Sequence, residues 1–170
     1  MKSVLISIQP KWCEKIANGE KTIEVRKTKP KLEPPFKCYI YCTLSGNNEF
    51  FKETLNGDVA AWNRGKWADK KGNVIGEFIC DRIFLWNQDV HDDDTITLEE
   101  ASQLARLDEN ELLKYADGYF YGWHISKLFI YDEPKKLSEF NHCGVNYHFN
   151  PPITRPPQSW CYVEDGDTDV

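Results

Sequence analysis

The sequence predicts an α+β fold built around a partly closed β-barrel. Short runs of β-branched and aromatic residues in period two recur along the chain, as VLISI, TIEVR, CYIYCT, VIGEFICDRIF, YGWHISKLFIY and WCYV. Helical spacing of apolar residues is confined to a few places, so strands do not alternate regularly with helices as they do in a doubly wound sheet. Neither GxGxxG nor GxxxxGK occurs, which removes the usual phosphate-cradling loops of such folds.

The elements follow in order. Val4 to Ile8 reads as a first strand. Pro10 suits the first turn of a helix whose apolar positions Trp12, Cys13, Ile16 and Ala17 fall at helical spacing, and Gly19 stops it. Thr22 to Arg26 is a strand, Cys38 to Thr43 another, and residues 44–72 form a long polar loop with one helical turn near Glu49 to Leu55. Val74 to Phe84 reads as one long strand in which Gly76 marks a bulge or a close backbone approach. Thr97 with Glu100, and Asp108 with Glu111, are capping boxes that open two helices, the second ending near Gly118. Tyr121 to Tyr131 is a further long strand, and Trp160 to Val163 is the last, ahead of an acidic tail.

A chain of 170 residues fits one domain, able to bury roughly two thirds of the surface that its unfolded form exposes. The expected layout is a single domain over residues 1–164, with the helices of residues 97–117 as an insertion and residues 165–170 as a disordered tail. No apolar run approaches the ~18 residues of a membrane span, and the N-terminus lacks the apolar stretch of a signal peptide. The expectation is a cytoplasmic protein with no membrane partner. The six Cys stand without a CxxC pair, several inside apolar runs, and are expected as buried free thiols. NHCGVNYH together with Cys161 is rich in metal-ligand types, but it lacks the paired short spacings of structural zinc sites, so neither metal nor cofactor is expected.

Chemistry concentrates in GEKTIEVRK, residues 19–27. Alternation puts Lys21, Ile23 and Val25 on one side of the strand and Thr22, Glu24 and Arg26 on the other. If the apolar side faces the core, Glu24 and Arg26 project together, and with Lys21 they supply a point cation, an acceptor and a five-donor fork. Such a set can grip a phosphate and read a base edge. The alternative is a solvated face on which Glu24 and Arg26 pair for at most about 1 kcal/mol. The charge distribution favours the ligand: residues 11–37 carry +4 in a chain whose net charge is -6. A locally basic segment in an acidic molecule points to one anionic ligand at one place rather than general coating of a polyanion.

The run SIQPKWCEKIANGEKTIEVRK resembles the opening of ASCH domains, of the PUA-like superfamily, whose pattern is a strand, a helix ending in Gly, then G-x-K-x-x-E-x-R. Here Gly19, Lys21, Glu24 and Arg26 stand in register. CYIYCT, VIGEFICDRI and RPPQSWCYVE continue the likeness, the last resembling the closing strand of longer ASCH proteins from bacteria and phages. The resemblance implies a PUA-like partly closed barrel with flanking helices, and a cleft lined by Lys21, Glu24 and Arg26 that binds RNA or a nucleotide-like small molecule. It also implies an alternative, a hydrolase acting on RNA or on acylated nucleosides with Lys21 as base and Glu24 as acid or water activator. The amidohydrolase branch of the family has a Thr three residues after its Lys, where this chain has Glu24. A second alternative is a protein-interaction module docking through residues 97–117.

Aromatic and amide groups complete the candidate set. Trp62 and Trp67, in WNRGKWADKK, are expected as a groove wall on which bases stack, and Gln158 and Ser159 beside Trp160 as groups facing a base edge.

Overall fold

The structure, a computed structural model, describes residues 2–44, 70–90, 95–144 and 150–165. In chain order its elements are β1 (Lys2–Ile8), α1 (Pro10–Ala17), β2 (Ile23–Arg26), β3 (Phe36–Cys42), β4 (Val74–Cys80), β5 (Ile83–Asn87), α2 (Leu98–Ala105), α3 (Glu109–Ala116), β6 (Tyr119–His124), β7 (Ser126–Lys135) and β8 (Trp160–Glu164), with a 3-10 turn at Leu137–Glu139. The class is α+β, as expected. The strand order is linear in both sheets, so no closed ring of strands forms among the described residues, in keeping with a partly closed barrel. No described helix is long and apolar enough to cross a membrane.

The chain divides into two compact units. The first comprises Met1–Glu14, Cys38–Glu77 and Phe129–Val170; the second comprises Lys15–Lys37 and Phe78–Leu128. In the first, a five-stranded sheet runs in the order β7-β4-β3-β1-β8, with β1 parallel to β3 and antiparallel to β8. Strand β1 is buried at every position after Lys2, as its near-continuous apolar run requires of a central strand. Leu5, Tyr39, Tyr41, Val74, Tyr131, Phe140, Ile153 and Val163 form the core here. Gly76 is a close backbone approach: a Cβ at this position would overlap the Phe129 carbonyl oxygen and come within 3.0 Å of Ile130 Cα.

In the second unit, β6 lies between β2 and β5 and is antiparallel to both. Opposed residues of antiparallel strands share a face. Ile23, Val25, Trp86 and Phe120 face the core, where they pack with Ala101 and Ala105 of α2 and Leu112 and Ala116 of α3. Both capping boxes form as predicted, Thr97 with Glu100 and Asp108 with Glu111.

Two expected long strands are each divided. VIGEFICDRIF breaks at Asp81–Arg82 into β4 and β5, and YGWHISKLFIY breaks at Ile125 into β6 and β7, the halves joining different sheets. Period-two alternation continues through both breaks, which is why the sequence hides them. The breaks are held by backbone: the His124 N–H donates to the Arg82 carbonyl at 2.9 Å, and Lys127 takes a positive φ of 46°. The predicted helical turn near Glu49 to Leu55 lies outside the described residues.

All six cysteines are free thiols, four of them buried. Burial pushes Cys80 up to about 12 and Cys161 up to about 11, so both stay protonated and unreactive at neutral pH.

Replacement of Gly76 by Ala is expected to destabilise the fold by about 1–3 kcal/mol, because the obstructing atom belongs to a paired backbone that cannot swing aside. A urea unfolding curve with an unchanged midpoint would remove this account of the glycine.

Candidate functional site

The site forms where α1 ends. Gly19 adopts a φ of +79°, a conformation glycine enters without penalty, and its N–H donates to the Ile16 carbonyl at 3.0 Å. The Lys21 N–H then donates to the Lys15 carbonyl at 3.0 Å, wrapping the chain around the helix end. Strand β2 begins only at Ile23, so the alternation that would put Lys21 beside Ile23 and Val25 does not reach it. Lys21 instead turns its ammonium toward Glu24.

Three charged side chains meet there. Lys21 Nζ lies 3.3 Å from Glu24 Oε2, and Arg26 Nη2 lies 2.9 Å from Glu24 Oε1. Lys21 and Glu24 are only 2% and 6% exposed as residues, while the Arg26 side chain retains 13%. The face is therefore a buried ion network and not a solvated one. Burial pushes the Lys21 ammonium below its ordinary value of 10.5; the Glu24 carboxylate opposes this, and the charges of Arg26 and Lys15 add to the lowering.

Helix α2 closes the network from the other side. A helix leaves its last carbonyls without intrahelical partners, and its C-terminus carries partial negative charge. Here the Ala105 carbonyl accepts from Lys21 Nζ at 3.0 Å, and the Leu104 carbonyl accepts from the Thr22 N–H at 2.9 Å. Arg106, the left-handed cap residue of α2, donates from Nε to the Glu20 carbonyl at 2.9 Å. The helices expected as an insertion thus hold the motif in place.

The strand register adds aromatic residues that sequence reasoning missed. Glu24 pairs with Trp123 and Arg26 with Tyr121, so one face of the three-stranded sheet carries Glu24, Arg26, Trp123, Tyr121 and Tyr119. Trp123 is fully buried, with Phe36 packed edge-on at 6.0 Å, whereas Tyr119 is 44% exposed. Burial raises the Tyr115 phenol at the end of α3, and the Arg26 charge and a hydrogen bond from the Lys27 backbone draw it back. The signal for this face was present as the period-two run Tyr119, Tyr121, Trp123, but it requires the pairing with β2 to be read.

The remaining candidates fall elsewhere. Trp62 and Trp67 lie outside the described residues. Gln158 and Ser159 belong to the first unit; Gln158 is exposed, and the Ser159 carbonyl accepts from the Ser7 N–H at 2.9 Å in the turn leading into β8. His124 pairs through Nδ1 with Asp81 at 2.6 Å, and this contact holds the Asp81 carboxyl below the usual carboxylate range. A separate cavity of about 360 Å³ is lined by Arg82, Phe84, Thr95, Ile96, Glu100, Gln103 and Leu104.

Neither a protein-family model nor a curated protein matches the chain. Solved structures of ASCH from Zymomonas mobilis do. The protein itself gives a TM-score of 0.58 at 17% identity, covering 95% of this chain and 87% of that one. A tyrosine-to-phenylalanine variant gives 0.59 at 17%, covering 96% and 91%. A serine-to-alanine variant gives 0.59 at 16%, covering 95% and 88%. At this identity the likeness is one of fold: the chain shares the fold of these ASCH structures.

Glu24→Gln keeps the shape of the network and removes the carboxylate that both Lys21 and Arg26 contact. The expected cost is about 3–5 kcal/mol, read as a lower urea midpoint. A variant as stable as the wild type would show that Glu24 does not balance the network.

Proposed function

We propose that this chain binds RNA or a nucleotide-like ligand through the surface end of the Lys21–Glu24–Arg26 network. The observation that carries the reading is the geometry of that network: Lys21 and Arg26 both contact the buried Glu24 carboxylate, and Arg26 is the member that reaches the surface. A guanidinium in a partly buried setting is screened little by solvent and favours an anion. The carboxylate holds the guanidinium at Nη2, so the fork meets a phosphate or a base edge with less ordering left to do. Lys21 and Glu24 act in this reading as positioning residues, and Arg26 makes the contact.

The phenol of Tyr115 and the Lys27 ammonium, which lies 5.4 Å from the centre of that ring, flank Arg26 and add a stacking surface and a second cation. Phosphate with an adjacent ring is the signature of a nucleotide. RNA-related binding is also what the sequence likeness to ASCH domains implies.

The test is a fluorescence titration with short single-stranded RNA at two salt concentrations, using wild type and Arg26→Gln. Trp123 lies opposite Glu24 and provides an internal reporter. Wild-type binding is expected to weaken with salt, and the variant to lose affinity together with about 0.7 of the log–log salt slope for each phosphate contact removed. Equal binding by both proteins would overturn the reading.

One observation favours a second reading, a hydrolase acting on RNA or modified nucleosides. The lowered Lys21 pKa gives more free amine at a given pH than a solvated lysine has, which suits a general base. Product formation should then rise with pH along a limb centred below 10.5 and vanish in Lys21→Arg. Saturable binding with no product at any pH leaves the binding module.

A further inference from the structure

We infer that the face of the three-stranded sheet bearing Arg26 is a stacking platform for the bases of a single-stranded nucleic acid, with Tyr121 and Tyr119 as successive steps leading away from Arg26. The inference rests on the nucleotide reading above and extends it from one nucleotide to a strand.

The platform follows from strand pairing. Arg26 is registered with Tyr121, Tyr121 with Leu85, and Tyr119 with Asn87, all on the face opposite Ile23, Val25, Trp86 and Phe120. Exposure increases along β6 from Trp123, which is fully buried, through Tyr121, partly buried, to Tyr119 at 44%. Residues two apart on a strand stand about 6.8 Å apart, which allows one base per ring. The two rings meet edge to face at 5.9 Å, a geometry that holds each in place.

Tyrosines on a sheet face are ordinary. What selects the occupant here is the charge beside them. The run from Arg26 to Lys31 carries four cations and no carboxylate, in a chain whose net charge is -6. Lys29 Nζ lies 5.6 Å from the centre of the Tyr121 ring, and Lys27 takes a similar place at Tyr115. Each ammonium rests over a ring in the unbound chain, so a base that takes its place on the ring displaces it toward the adjoining phosphate, giving the alternation of cation and aromatic that single-strand binders use. An acidic or uncharged peptide would leave either the rings or the lysines without a partner. A duplex would present its phosphates but hide its base faces.

Binding of the full chain to fluorescent uridine oligonucleotides of increasing length, with uridine monophosphate as competitor, tests the platform. Affinity is expected to rise with length until the rings are filled. Tyr119→Ala should lower oligonucleotide affinity roughly fivefold to hundredfold, Tyr119→Phe should restore it, and neither should change competition by the mononucleotide. Tyr119 is exposed, so these variants leave the core untouched. An oligonucleotide that binds no tighter than the mononucleotide, an unaffected Tyr119→Ala, or a duplex that binds as well as the single strand overturns the platform and leaves the Arg26 reading standing. If neither mononucleotide nor oligonucleotide binds, both fall together.

Discussion

The organisation of the second unit depends on a carboxylate held out of water between two cations. Glu24 in isolation would be expensive to bury, and so would Lys21. Each becomes tolerable because the other is within 3.3 Å, and because the carbonyl end of α2 offers Lys21 a further acceptor. Burying such a network is weak evidence for stability as such, since the desolvation penalty consumes much of the attraction. What it supplies is position. A guanidinium tied to a carboxylate that is itself tied to a buried ammonium has few orientations left, and recognition of a planar or tetrahedral anion gains from that restriction.

The helices of residues 97–117 take on a different meaning in this light. As segments of sequence they looked like an addition to a β fold, a natural place for a partner to dock. In the structure their apolar faces are filled by Ile23, Val25, Trp86 and Phe120, and the last carbonyls of α2 are answered by the turn that carries Lys21. The termination of one helix and the presentation of the motif are the same set of hydrogen bonds. Loss of that helix end would release Lys21 and Thr22 together.

Much of this was legible in the sequence where the signal is local. The capping boxes at Thr97 and Asp108, the stop at Gly19, the close approach at Gly76 and the free thiols all depend on residue chemistry within a few positions. The pairing of Glu24 with Arg26 followed from their two-residue spacing. The burial of the network did not, because it comes from α2, about eighty residues further along, and nothing near Lys21 announces it. The division of the two long strands was hidden for a related reason: alternation specifies which side a residue faces but not which sheet its strand joins. The aromatic face of Tyr119 and Tyr121 stayed out of sight until β6 was paired with β2.

The break between β4 and β5 consists of Asp81 and Arg82, both exposed, and the first holds His124 across the matching break. Side chains there are free to vary so far as the core is concerned, yet the number of residues is not. One residue more or fewer would rotate β5 by half its period, sending Phe84 and Trp86 to the face of Arg26 and Tyr121, and Ile83, Leu85 and Asn87 into the core. The connector is therefore tolerant of substitution and intolerant of insertion, a surface segment whose information lies in its length.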